Sequence, residues 1–195
     1  DQSYGGSLLI DNNNVNAKNA GILNGNYTFS KIVLNRYGHL EFIGQDNILN
    51  IFNVNTITGD STKSKLGSYG TFNYLSSDPL NIDGFSLNVF GKLEGVQDVI
   101  IGTNQNASLT LYAHTWAYDN DNPPVFRDLT INEHGELIAY PYIIDNSLFN
   151  DDYGVTINAD NIRINTGGLI NLDGKGYPAT KGPGSNGGAF DGASH

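Results

Sequence analysis

The segment spanning residues 118–124 contains the most chemically suggestive spacing in the chain. Asp119 and Asp121 alternate there with Asn residues, just ahead of a Pro-Pro pair. Alternate oxygen ligands within one loop suit a hard cation, so this segment predicts a Ca²⁺ site at Asp119 and Asp121. Because the loop lacks the glycine and the distal glutamate of an EF-hand, an acidic turn before the prolines is the alternative interpretation.

Three aromatic residues beside this loop, Tyr112, Trp116 and Tyr118, share one parity along the chain. In an extended segment, alternation would place their three rings on one face. An aromatic face next to carboxylates and amides is suited to stacking on a sugar, so these residues form a candidate glycan-binding surface. Packing in a core, or covering of an open sheet edge, would explain the same cluster.

No arrangement of residues in the sequence matches a catalytic motif. The four histidines, at positions 39, 114, 134 and 195, neither adjoin a nucleophile motif nor show the spacing of a zinc pair. Hydrolysis of sugars needs two carboxylates about 5–10 Å apart, and the sequence alone does not pair its acidic residues. The three arginines, Arg36, Arg127 and Arg163, have no evident acidic partner. The sequence therefore predicts no catalytic residue.

Composition restricts the classes of partner. The chain has 195 residues, a net charge of −10 and a sequence pI near 4.5. It has no cluster of Lys and Arg, so we expect no nucleic-acid partner. No apolar run approaches the length of a membrane span, so we expect no membrane insertion. The chain contains 24 Gly, no Cys and many Asn, and short apolar blocks recur throughout, which favours an all-β fold with many tight turns.

One pattern, apolar-x-apolar-Asn-x-x-Gly-x-apolar, occurs four times. The copies cover residues 32–42, 85–95, 129–139 and 162–172. Alternating apolar residues predict a short strand on each side of the turn. Asn at the first turn position and Gly at the fourth predict a type I turn with a left-handed glycine. The predicted turn residues are Asn35, Gly38, Asn88, Gly91, Asn132, Gly135, Asn165 and Gly168.

The spacing of these units predicts stacked repeats over residues 1–173. Most intervals between the glycines fit the usual solenoid repeat of about 20–45 residues, but Gly38 to Gly91 is longer. The polar stretch at about 58–79 is therefore predicted to be an inserted surface loop. Residues 174–195 are Gly-rich and predict a loop or linker, and the first residues suggest that the chain starts inside a repeat. Further strand candidates are residues 47–58, 99–102, 107–113, 142–144 and 154–157.

The four turns resemble the Ile/Val-Asn-x-Gly-Gly-x-Leu turns in the β-helical passenger domains of bacterial autotransporters and related secreted adhesins. The likeness lies in all four units, which together make up about a quarter of the chain. The resemblance implies a right-handed parallel β-helix with inserted loops, at an extracellular or cell-surface location. The alternative is a β-sandwich, because Asn-x-x-Gly between two strands can also close a hairpin.

The expected function is a non-catalytic, extracellular structural or adhesive module that self-associates into filaments or binds glycans of a matrix. Stacked repeats provide long, stiff surfaces suited to such a role. One alternative is a β-helical polysaccharide-active enzyme similar to pectate lyases, which requires basic residues near cation-binding acids. Another is a β-sandwich carbohydrate-binding module. Apart from Ca²⁺, no cofactor is expected.

Overall fold

The structure, a computed structural model, describes residues 5–16, 20–52, 57–61, 63–113, 123–141 and 154–174. The regular elements within these ranges are all β-strands. They are β1 (Gly6–Asp11), β2 (Gly21–Asn24), β3 (Tyr27–Asn35), β4 (His39–Ile43), β5 (Ile48–Ile51), β6 (Ile57–Gly59), β7 (Lys65–Ser68), β8 (Thr71–Tyr74), β9 (Leu80–Ile82), β10 (Ser86–Val89), β11 (Lys92–Glu94), β12 (Asp98–Ile101), β13 (Ala107–Tyr112), β14 (Val125–Ile131), β15 (Gly135–Tyr140), β16 (Asn158–Ile164) and β17 (Leu169–Asn171). The predicted all-β class is confirmed.

The strands form three parallel sheets. Sheet 1 has the order β1-β3-β5-β8-β11, with β6 also paired to β3. Sheet 2 has the order β17-β15-β13-β10-β7-β4-β2, and sheet 3 has the order β16-β14-β12-β9. Every pairing among the described strands is parallel. The antiparallel hairpins of the sandwich alternative are therefore absent from the described part of the chain.

The chain visits the sheets in a recurring order. Strands β8, β9 and β10 belong to sheets 1, 3 and 2, and β11, β12 and β13 repeat that order. We call each passage that ends on a strand of sheet 2 a rung. The described strands form seven rungs: β1–β2, β3–β4, β5–β7, β8–β10, β11–β13, β14–β15 and β16–β17. The separation between hydrogen-bonded side chains on adjacent rungs ranges from 21 residues, for Asp83 and Asn104, to 35, for Glu136 and Asn171.

Alternating side chains build a core that all three sheets share. In sheet 2, Leu40, Leu66, Leu87, Leu109 and Leu137 occupy one register position on five successive strands. Each is at most 2% exposed, and together with inward residues of sheets 1 and 3 they form a single hydrophobic cluster. Burying each leucine side chain contributes about 1.5–3 kcal/mol, so this column stabilises the stacking of successive rungs.

Three of the four predicted units lie at the same corner, where a strand turns into sheet 2. They join β3 to β4, β14 to β15 and β16 to β17. In each, the glycine N–H donates to the carbonyl oxygen of the Asn three residues earlier, as between Gly135 and Asn132 at 2.9 Å. The second unit instead joins β10 in sheet 2 to β11 in sheet 1, and Asn88 lies inside β10.

The predicted left-handed conformation of the turn glycines is wrong. Positive φ occurs instead at Arg36 (47°) and Tyr37 (69°) in the first unit and at Gly167 (89°) in the fourth, so these two turns are not type I. The turn glycines allow the backbones of two successive rungs to approach each other closely. A Cβ on any of them would lie within 2.6 Å of a carbonyl oxygen in the preceding rung. These glycines are Gly38, Gly91, Gly135 and Gly168.

The inserted loop predicted at about 58–79 is also wrong. This stretch contains β7 and β8, and Leu66, Phe72 and Tyr74 within it are at most 1% exposed. The long glycine interval arises because the second unit lies at a different corner, so the interval spans more than one rung. The Gly-rich stretch at 174–195 lies outside the described residues beyond Gly174.

Two other strand candidates match the structure closely. Residues 107–113 contain β13 and residues 99–102 overlap β12. The candidate at 47–58 contains β5 and β6 rather than one strand. Residues 154–157 precede β16 without forming a strand, and 142–144 lie outside the described residues. The alternation therefore located strands well but did not assign them to sheets.

Candidate ligand-binding surfaces

An aromatic ladder, formed by Tyr69, Phe90, Tyr112 and Tyr140, crosses the outer face of sheet 2. The residues come from four successive rungs, at or just beyond the ends of β7, β10, β13 and β15. Ring centroids are 4.2, 4.2 and 4.8 Å apart along the ladder, with interplanar angles of 10–20°. The parallel register brings equivalent side chains to the strand spacing of about 4.8 Å, which is close to an aromatic stacking distance.

Both ring faces of Tyr112 are covered within this ladder. Phe90 stacks on one side at 4.2 Å and Tyr140 on the other at 4.8 Å. A sugar cannot stack on a covered face, so Tyr112 offers an external ligand only its ring edge and hydroxyl. The other two residues of the predicted glycan surface, Trp116 and Tyr118, lie outside the described residues.

Burial in the ladder changes the ionisation of Tyr69 and Tyr112. Burial, followed by the neighbouring Tyr140 and Tyr69 hydroxyls, raises the pKa of Tyr112 above its usual value. Burial and the Glu41 carboxylate raise the pKa of Tyr69 as well. The stacked, neutral phenols are therefore the form that the fold favours.

The predicted Ca²⁺ ligands Asp119 and Asp121 lie outside the described residues. Within the described ranges, no three His, Asp or Glu side chains are grouped closely enough to hold a metal ion. The Ca²⁺ site therefore stays a prediction about the 118–124 segment.

An open groove of about 910 Å³ lies over sheet 3. Asp98, Asp128 and Asn161 line it as one register column of β12, β14 and β16, and Asn161 Nδ2 donates to Asp128 Oδ1 at 2.9 Å. Thr130 and Arg163 form the adjacent column. Arg163 is exposed and has no acidic partner among the described residues. The groove thus presents carboxylate, amide, hydroxyl and guanidinium groups at strand spacing.

Arg127 lies beside this groove and is paired, contrary to the sequence-based expectation. Its Nε donates to Asp98 Oδ1 at 2.9 Å and its Nη2 donates to Asp98 Oδ2. The distance from Arg127 Nε to Asp128 Oδ2 is 3.7 Å. The hydrogen bond to Asp98 raises the pKa of Arg127 further. Arg127 thus pairs with Asp98 and contacts Asp128, which leaves Arg163 as the groove's guanidinium without a salt bridge to a described residue.

Arg36 is paired as well, at the corner between β3 and β4. Its guanidinium donates to both carboxylate oxygens of Asp11 at 2.5–3.0 Å and to Asn13 Oδ1 at 2.8 Å. Its backbone N–H donates to Asp60 Oδ2 at 2.6 Å. The Arg36 hydrogen bond is the main cause that lowers the pKa of Asp11. Arg36 therefore connects three successive rungs and has a structural role.

Ladders of hydrogen-bonded polar side chains are the feature that the sequence reasoning missed. Asn73 Nδ2 donates to Asn50 Oδ1 at 2.9 Å on the outer face of sheet 1, and Asn165 Nδ2 donates to Asn132 Oδ1 at 2.7 Å at the sheet 2 corner. A signal was available: the triplet apolar-Asn-apolar recurs in several strands. Copies include Leu49-Asn50-Ile51, Phe72-Asn73-Tyr74, Leu80-Asn81-Ile82, Leu87-Asn88-Val89 and Ile170-Asn171-Leu172.

The comparisons with known proteins identify no relative. No protein-family model matches the sequence, and neither a curated protein nor a solved structure shows significant similarity to the chain. Among the described residues, no helix is long and apolar enough to cross a membrane.

Proposed function

We propose that the three sheets close into a right-handed parallel β-helix. The recurring order of sheets, the parallel register and the single shared core support this proposal. The resemblance of the turns to β-helical passenger domains points the same way. Closure around one core is the arrangement that buries the inward faces of three sheets at once.

We further propose that this fold serves as a non-catalytic structural and adhesive module of an extracellular surface. The observation that carries the proposal is the continuity of stacked ladders, apolar inside and aromatic or amide outside, across successive rungs. Such ladders stiffen a rod by connecting each rung only to its neighbours. The aromatic stack and the paired arginines both act within the protein, as expected for a scaffold.

The test has two arms. The purified chain is incubated with acidic and neutral polysaccharides, and products are followed by the ultraviolet absorbance of unsaturated sugars and by reducing ends. We expect no product above a heat-inactivated control, and any sustained turnover would support the pectate-lyase-like alternative instead. Antibody labelling of intact, unpermeabilised source cells tests the surface location, where labelling only after permeabilisation would contradict it.

Glycan contact at the sheet 3 groove is the second candidate function. The groove presents hydrogen-bonding groups in register and an exposed guanidinium, Arg163, suited to hydroxyl-rich or acidic sugars. A glycan array should show binding that Arg163→Ala weakens and that Lys31→Ala, a matched change of an exposed cation on β3, leaves unchanged. Equal loss with both variants would indicate non-specific attraction to cations.

The proposed module also includes the Ca²⁺ site predicted in the 118–124 segment. The same array with a chelator, and calorimetric titration with Ca²⁺, test the predicted ligands Asp119 and Asp121. We expect the double variant Asp119→Asn/Asp121→Asn to lose the heat of Ca²⁺ binding in this titration. A retained signal would contradict the predicted site.

A further inference from the structure

The last rung of the described chain exposes side chains that other rungs bury. Ile162 and Ile164 on β16 are 52% and 50% exposed, whereas their register partners Leu129 and Ile131 on β14 are at most 1% exposed. In sheet 2, Ile170 and Leu172 are likewise 37% and 58% exposed. These residues point to the same side as the core ladders, but no described strand covers them.

The backbone of this rung is open in the same way. β16 is the terminal strand of sheet 3 and β17 that of sheet 2, so each presents a row of unpaired peptide groups within the described structure. Natural proteins usually protect such edges with charges, prolines or bulges. β17, with the sequence Leu-Ile-Asn, carries none of these, whereas β16 carries the charged residues Asp160 and Arg163.

The first rung presents the complementary face. β1 and β2 are the terminal strands at the other end of sheets 1 and 2. β1 pairs with the second half of β3, which leads directly into a strand of sheet 2, as β14 and β16 do. Leu8 and Ile10 pair in register with Ile32 and Leu34 of β3, and these sit at the same turn-unit positions as Ile162 and Ile164. Leu8, Ile10 and Leu23 are only partly buried, although they pack against the core. The face that would continue the stack beyond β16 is therefore present on the same chain.

We infer that the partner of the last rung is the first rung of a second copy, stacked head to tail in the internal register. This inference rests on the proposed β-helix. Ile162 would then face Leu8, Ile164 would face Ile10, and Leu172 would face Leu23 of the next copy. Because the two faces differ, the contact does not close on itself and generates a filament rather than a dimer.

The second copy is favoured over an unrelated partner because the contact repeats an interface that the chain already forms between its own rungs. Each internal rung contact combines a parallel ladder with apolar columns, as between β14 and β16. The end-to-end contact reproduces both components with no change of register. An unrelated protein would have to supply the same strand direction, the same three-sided outline and matching apolar positions.

Disulfide trapping in the full 195-residue chain tests the register, since the protein contains no cysteine. The double variant Leu9→Cys/Arg163→Cys places one thiol on each end, at outward positions that would face each other in the stack. Cα atoms of paired strands lie about 4.8 Å apart, within disulfide range. Mild oxidation should yield a ladder of covalent oligomers on non-reducing gels.

The matched control is Leu9→Cys/Asn161→Cys, which shifts one thiol by two residues on the same strand face and should give several-fold less oligomer. Equal yields from the two variants would overturn the proposed register. If the wild-type chain remains monomeric at all concentrations in sedimentation and the Leu9→Cys/Arg163→Cys variant gives no trapped oligomer, self-stacking is overturned altogether. In the trapping background, Ile164→Lys should reduce the oligomers several-fold, whereas Leu75→Lys, a change of an exposed apolar residue just beyond β8 on an internal rung, should not.

A third pair separates failure of this inference from failure of the proposed fold. Thr130→Cys/Arg163→Cys joins two strands that pair inside one chain. If this intramolecular disulfide forms while the end-to-end pair does not, the rungs stack and only self-association is wrong. If neither forms, the proposed β-helix fails together with the inference.

Discussion

The rung β14–β15 and the rung β16–β17 are built from the same sequence unit, yet they differ in burial. Ile131 is fully buried, whereas Ile164, its register partner, is half exposed. Both follow the same alternation and precede the same Asn-x-x-Gly turn. The difference shows that an apolar residue of this unit is fully buried only where another rung lies on each side of it. The reason is that a rung buries its apolar residues against the rungs above and below.

The largest expected effect comes from truncating these two isoleucines. Ile131→Ala removes a fully buried side chain and should lower the free energy of unfolding by about 2–5 kcal/mol. Ile164→Ala removes a half-exposed side chain and should cost less than about 1 kcal/mol. Urea unfolding of dilute protein measures both, and equal losses would mean that another element covers the last rung.

A second comparison uses the turn glycines of the same rungs. A Cβ at Gly135 would collide with the carbonyl oxygen of Ile101 in the preceding rung, so Gly135→Ala should cost about 1–3 kcal/mol. Gly168→Ala meets the carbonyl of Ile131 but should cost less, because a terminal rung can shift. Gly154→Ala, where a Cβ meets nothing within 4 Å, is the control in the same unfolding assay. A neutral Gly135→Ala would contradict the close-approach role.

The aromatic ladder provides a third, smaller effect within the covered rungs. Tyr112→Leu keeps an apolar side chain but loses two ring stacks, and should destabilise by about 1–2 kcal/mol. Tyr112→Phe keeps both stacks and should be nearly neutral. Near-ultraviolet circular dichroism should change more for the leucine variant, and equal destabilisation by both variants would assign the effect to the hydroxyl instead.

Alkaline pH offers a related test of the same ladder. Burial raises the folded-state pKa of Tyr69 and Tyr112, so their contribution to stability is fully present below the pKa of an unfolded tyrosine. It is lost as pH rises through the folded pKa values, because the unfolded chain releases these protons first. Tyrosinate absorbance should therefore show a group that titrates late, and Tyr112→Phe should reduce its amplitude.

The smallest expected effect is at the first rung. The Arg36 hydrogen bond lowers the folded pKa of Asp11, so the stabilisation is present above the unfolded pKa of aspartate and is lost as pH falls through the folded value. Because the pair is exposed, screening by salt limits its contribution. Asp11→Asn should slightly reduce the loss of unfolding free energy that accompanies a fall in pH. An unchanged dependence on pH would show that the Arg36–Asp11 pair does not contribute to stability.

The candidate surfaces were less predictable from sequence than the strands. Parity along the sequence predicts that Tyr112 lies on one face with Trp116 and Tyr118. In the structure, Tyr112 stacks on Phe90 and Tyr140, which are 22 and 28 residues away and lie on the neighbouring strands of sheet 2. The partners of Arg36 and Arg127 are similarly distant, on the preceding rung. Local spacing cannot reveal such pairs, because parallel strands are never neighbours along the chain.

The sequence by itself determined the all-β class, the position of many strands and the position of three of the four Asn-x-x-Gly turns. These follow from alternation and from sterics that operate over a few residues. Only the tertiary structure decided that the second unit lies at a different corner, that residues 58–79 form strands, and that the turn glycines avoid a neighbouring carbonyl rather than adopt positive φ. The physical reason is that one short turn pattern fits more than one corner, so its role depends on which rung packs beside it.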